Sequence, residues 1–144
     1  MKRQGCILHT VTLAMFVLLA VGMGHAQYQV RATIPFNFTI GTRTYPAGEY
    51  AFGSVPYSHG TLILLNRTAP GPAYIQTDST DIRETPTSTK LVFNRYGARY
   101  FLSQIWRAGN QFGQQLNKSS AEIEMAKAEH SPAQLVAINV VPHR

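Results

Sequence analysis

Residues Lys90–Arg107 constrain the fold more than any other stretch, because they read as two strands joined by a turn too tight for most residues. Leu91–Tyr96 and Arg99–Trp106 flank Gly97-Ala98, and a two-residue type II′ hairpin needs glycine at its first central position. Pairing Tyr96 with Arg99 sets the register. Leu91, Phe93, Arg95, Tyr100, Leu102, Gln104 and Trp106 then share one face; Val92, Asn94, Tyr96, Phe101, Ser103 and Ile105 share the other. Both faces are largely apolar. Such a ribbon has to be covered on both sides, as in the middle of a sandwich or in a barrel with something packed outside it.

The flanking sequence has the same character. Val30–Ile34 and Phe36–Ile40 read as one strand interrupted at Pro35, which cannot donate to a ladder. Pro46-Ala47-Gly48 is a turn signal, and Tyr50 and Phe52 alternate in the strand after it. Leu62–Asn66 and Ala73–Thr77 are two further strands, and the Ser/Thr-rich segment Ser79–Thr89 reads as a mobile loop. Ser119 with Glu122 forms a capping box ahead of Ala121–Glu129, the one clear helix, whose narrow stripe of Ala121, Met125 and Ala128 should rest on the sheet with modest burial. Leu135–Val141 closes the domain with Val136, Ile138 and Val140 on one side. The expected fold is all-β: a single antiparallel sandwich or barrel of about 7–8 short strands, with one short helix near the C-terminus.

The N-terminus fixes an expected compartment. Lys2 and Arg3, the apolar run Val11–Val21 and the triplet Gly24-His25-Ala26 have the three parts of a secretory signal peptide, so residues 1–26 are expected to be cleaved and 27–144 to form one domain. The apolar run is too short for a typical spanning helix, so no integral membrane segment is expected after cleavage. Removing Met1–Ala26 from 144 residues leaves 118, enough for one core. Cys6, the only cysteine, leaves with the signal. An exported chain without disulfides must be stabilised by packing and hydrogen bonds, a pattern that suits bacterial export to the periplasm or outside the cell.

Chemistry-bearing motifs are sparse. Eleven Lys and Arg against seven Asp and Glu make the mature chain mildly basic, which suits an anionic envelope polymer or a protein partner and is too scattered for nucleic acid. His59, His130 and His143 are isolated, and the sequence carries no Gly-x-Ser-x-Gly, Ser-x-x-Lys or His-Glu-x-x-His pattern and no cofactor motif. Asp78, Asp81 and Glu84 gather three acids in one segment. They are the candidate metal ligands, and on paper a carboxylate pair for a small hydrolase. Arg95, Tyr100 and Trp106 are the candidate ligand-binding residues, as parts of an aromatic and basic platform. The register divides the arginines, with Arg95 on one face and Arg99 and Arg107 on the other.

Ile34-Pro35-Phe36-Asn37-Phe38, Pro46-Ala47-Gly48-Glu49-Tyr50 and Lys90-Leu91-Val92-Phe93-Asn94-Arg95-Tyr96-Gly97 resemble the recurring blocks of small signal-peptide-bearing bacterial exported proteins of unknown function. The resemblance implies an exported β-rich domain. It also implies a leucine where this chain has Tyr45 and a histidine where it has Asn94. The expectation from all of this is a non-catalytic binding or structural module of the cell envelope. The alternatives are a small hydrolase using the loop carboxylates and an accessory subunit whose apolar sheet face is completed by a partner.

Overall fold

The computed structural model describes residues 30–55, 58, 60–66 and 71–140; the expected signal segment, His59 and His143 lie outside them. Among the described residues, eleven strands and one helix form two packed sheets. β1 (Val30–Ile34), β4 (Gly48–Ser54), β5 (Thr61–Asn66) and β6 (Ala73–Gln76) make an antiparallel four-stranded sheet in the order β1-β4-β5-β6. The larger sheet runs β11-β8-β9-β10-β7, from β11 (Gln134–Asn139), β8 (Lys90–Tyr96), β9 (Arg99–Trp106), β10 (Phe112–Gln115) and β7 (Asp78–Asp81). β2 (Phe38–Ile40) adds to it in parallel beside β9 and pairs in turn with β3 (Arg43–Tyr45). The architecture is a sandwich.

Pro35 does more than interrupt a strand. β1 belongs to the smaller sheet and β2 to the larger, so the chain changes layer across Pro35-Phe36-Asn37. The layers meet through Ile34, Tyr50, Phe52, Leu62 and Leu64 on one side and Phe38, Leu91, Phe93, Leu102 and Ile105 on the other. Phe38 lies edge-on to Tyr50 at 5.0 Å between ring centroids and to Phe93 at 5.7 Å. Edge-to-face packing of this kind adds about 0.5–1.5 kcal/mol per pair to the area buried.

The Gly97 hairpin has the register the sequence predicts, Tyr96 opposite Arg99. Gly97 has φ 56° and Ala98 is not in the positive-φ region, the combination of a type II′ turn. The register does not continue unbroken. Val92 faces Gln104 while Phe93 faces Leu102, so Ser103 is a β-bulge. One inserted residue moves everything beyond it to the opposite face. Ile105 therefore joins Leu91 and Phe93 in the core, and Gln104 and Trp106 turn to the outer face. This corrects the placement of Trp106 beside Leu91, Phe93, Tyr100 and Leu102.

One further expectation is corrected. The segment expected to be a mobile loop begins as strand β7, and its remainder is tied down: Ile82 N–H donates to the Gln111 carbonyl, Gly109 N–H to Pro86 and Val140 N–H to Thr89. The helix α1 (Ser120–Glu129) has Ser119 as its N-cap, with Oγ accepting from Glu122 N–H at 3.2 Å. Its apolar stripe is modestly buried, with Ala121 and Met125 half-buried and Ala128 exposed, and the one buried residue of the helix is Glu122.

Candidate functional site

Glu122 is 4 % exposed and its Oε1 accepts from Asn94 Nδ2 at 2.7 Å and from the Tyr96 hydroxyl at 3.3 Å. Both donors project from the outer face of β8, so a buried carboxylate pins the helix to the sheet. A buried acceptor left unpaired costs about 1–3 kcal/mol, so these bonds fix the position of α1. Asn94, where the resemblance implies a histidine, is a buried structural donor here.

The three ligand-binding candidates are separated. Arg95 and Tyr100 face each other at the turn end of the hairpin, with the guanidinium carbon 5.5 Å from the Tyr100 ring centroid. Phe36 stacks on the same ring at 3.8 Å and 15°. Arg95 Nε also donates to the Gly97 carbonyl at 2.8 Å. These groups are thus engaged with one another. Trp106 lies at the far end of β9 and only 4 % of it is exposed, with its Nε1 donating to Gln104 Oε1 at 3.1 Å. Its ring packs on Gly113, where an added Cβ would stand 2.5 Å from Cε3. No shared stacking platform forms from Arg95, Tyr100 and Trp106.

The acids do not converge. Asp78 and Asp81 are three residues apart on β7, so the two-residue period of a strand sends them to opposite faces, and Glu84 comes after them in the exposed connection. Among the described residues no group of three His, Cys, Asp or Glu side chains could hold a metal ion. His130 is exposed at the C-cap of α1 with φ 49°, and its Nδ1 lies 2.9 Å from the Ala128 carbonyl oxygen.

The more informative arginine is Arg107. The bulge that turns Trp106 outward turns Arg107 inward, so Arg107 no longer shares a face with Arg99. It crosses to the facing sheet, where its Nη2 donates to Ser54 Oγ of β4 at 2.9 Å. Among the described residues its buried Nε has no hydrogen-bond partner. Arg107 lines a recess of about 280 Å³ at this end of the sandwich, together with Asp78, Thr77, Ile105, Asn110 and Gln114. The floor is held by a local clasp: Thr77 donates to the Gly60 carbonyl through its N–H at 2.6 Å and its Oγ1 at 3.0 Å. A second recess of about 300 Å³ lies at the other end, between the hairpin turn and the end of α1, with Arg95 and Glu129 in its wall.

Sequence reasoning missed Arg107 as a site residue because the bulge is what aims it, and no residue type marks Ser103 as a bulge. The outer face of the smaller sheet was also missed. There Ile63 lies between Gly53 and Tyr74 in register, beside the pair Ala51 and Leu65. Tyr74 is 67 % exposed and Leu65 37 %.

These features define a two-layer β-sandwich with a charged recess between its layers. No family model, curated protein or solved structure matches the chain. No described helix is long and apolar enough to cross a membrane.

Proposed function

We propose that this protein is a non-catalytic binding module of the bacterial cell envelope, taking one acidic unit of a carboxylate-bearing glycan in the Arg107 recess. The observation that carries the reading is the state of Arg107. Among the described residues its guanidinium has a single hydroxyl acceptor and no carboxylate partner, in a concave site between the sheets. An arginine so placed is suited to a planar anion, which it recognises through paired N–H groups. The mildly basic charge of the expected mature chain and its expected export agree with such a partner. Calorimetric titration with oligogalacturonate tests the reading. Saturable binding is expected, weakened at least tenfold in Arg107→Gln; equal heats for both proteins would remove the site.

A second reading, an accessory subunit of an envelope complex, is favoured by the apolar row on the smaller sheet in which half-buried Ile63 lies beside the exposed Leu65 and Tyr74. Solvent-exposed aromatic and aliphatic side chains in cross-strand register suit a protein partner. Tyr74→Lys would weaken that association and leave oligogalacturonate binding unchanged.

A further inference from the structure

A strand at the edge of a sheet offers unpaired backbone groups to any other strand, and folds usually blunt such edges with charge, proline, bulges or short length. Four edges here are blunted. β7 carries Asp78 and Asp81; β1 carries Arg31 and runs straight into Pro35; β3 is three residues long with Arg43; β6 is four residues long and comes just after Pro72. The fifth is not. β11, Gln-Leu-Val-Ala-Ile-Asn, has six residues, no charge and no proline. All six are in unbroken register with β8 on one side, and among the described residues no strand pairs with the other. Leu135 is 72 % exposed.

We infer that β11 is a self-association edge: two copies of this chain pair their β11 strands antiparallel about a two-fold axis, joining their larger sheets into one. The occupant is a second copy because the strand suits its own reverse. Being uncharged, it places no like charges opposite one another, and a two-fold contact requires that self-complementarity. The two faces of the strand also limit the register. Val136 and Ile138 pack toward the core, while Leu135, Ala137 and Asn139 are exposed on the outer face. Opposed residues must share a face, so the axis passes beside a residue and not between two. With Ala137 on the axis, Val136 stands opposite Ile138 of the second copy. The β-branched row under the sheet then continues across the contact, with Gln134 opposite Val140.

Sedimentation equilibrium of the purified protein tests this, with Ala137→Lys as the disrupting variant. Ala137 is exposed, so the substitution should leave the fold of each copy intact, read as an unchanged far-UV circular dichroism spectrum, while setting two ammonium groups against each other on the axis. A dimer that Ala137→Lys converts to monomer is the expected result. A wild-type monomer throughout the concentration range, or a dimer indifferent to Ala137→Lys, overturns the inference. The register is read separately by cross-linking in a Cys6→Ser background, which removes the only native cysteine. Residues directly opposed across an antiparallel pair have Cα atoms about 4.5–5.5 Å apart, within the range a disulfide spans. Ala137→Cys should therefore oxidise to a covalent dimer and Asn139→Cys should not. Equal cross-linking at both positions would overturn the register.

Discussion

Gly113→Ala tests the bulge through the contact it creates. Gly113 is not in the left-handed region, so its backbone would accept alanine, and exchanging glycine for alanine at such a site ordinarily gains about 0.4–1 kcal/mol. Here the added Cβ would stand 2.5, 2.7 and 2.8 Å from Cε3, Cζ3 and Cδ2 of Trp106, whereas carbon atoms rest at about 3.5–4.0 Å. The indole is buried, so the sheet or the ring has to shift, at a cost of about 1–3 kcal/mol for overpacking. The clash outweighs the entropic gain, giving a net loss of about 1–2 kcal/mol, or roughly 4 °C in Tm per kcal/mol for a domain of this size. Urea denaturation monitored by far-UV circular dichroism measures it. In a Trp106→Leu background the ring is gone, and Gly113→Ala should become neutral or stabilising, a coupling of at least about 1 kcal/mol. The same cost in both backgrounds would refute the contact, and with it the outward turn of Trp106.

Asn94→Ala strips the buried Glu122 of its shorter donor and should cost about 1–3 kcal/mol in chemical denaturation. In a Glu122→Leu background the same change should cost much less. Gly97→Val combines a φ of 56° with a Cβ 2.9 Å from Glu129 Oε1, and should lower the denaturation midpoint by at least about 1 kcal/mol in free energy. Burial, with Tyr45 adding to it, raises the pKa of the Tyr50 hydroxyl above the ordinary tyrosine value. Below about pH 10 both folded and unfolded forms keep the proton; above it the unfolded chain ionises first, so stability falls as pH rises. Tyr50→Phe should flatten that alkaline loss in a series of urea midpoints, while weakening the fold at neutral pH by removing the hydroxyl's bond to the Pro46 carbonyl.

The sequence carries the parts of this fold that depend on local chemistry. Gly97-Ala98 marks the hairpin, Ser119 the start of the helix, and the alternation of Val136, Ile138 and Val140 the side of β11 that meets the core. It does not carry features set by pairing at a distance. The bulge at Ser103 depends on how β9 meets both its neighbours, the displaced Ser103 carbonyl being taken by Leu116 N–H at 2.8 Å. Glu122 looks like half of a capping box, yet its carboxylate is used 28 residues away at Asn94. β3, β7 and β10 have three or four residues each, too short for periodicity to register. The recess at Arg107 inherits all of these non-local causes, whereas the candidate platform of Arg95, Tyr100 and Trp106 rested on neighbours in sequence alone.

The most direct test of the binding reading tracks the side-chain Nε–H resonance of Arg107 by NMR in protein labelled with ¹⁵N-arginine, assigned through Arg107→Lys. Buried between the sheets, this proton should give a resolved, slowly exchanging signal. Addition of oligogalacturonate should shift it saturably, leaving the signal of Arg95 at the opposite end in place. A titration that moves every arginine signal equally, or leaves Arg107 unmoved to saturating ligand, would contradict an acid-binding recess.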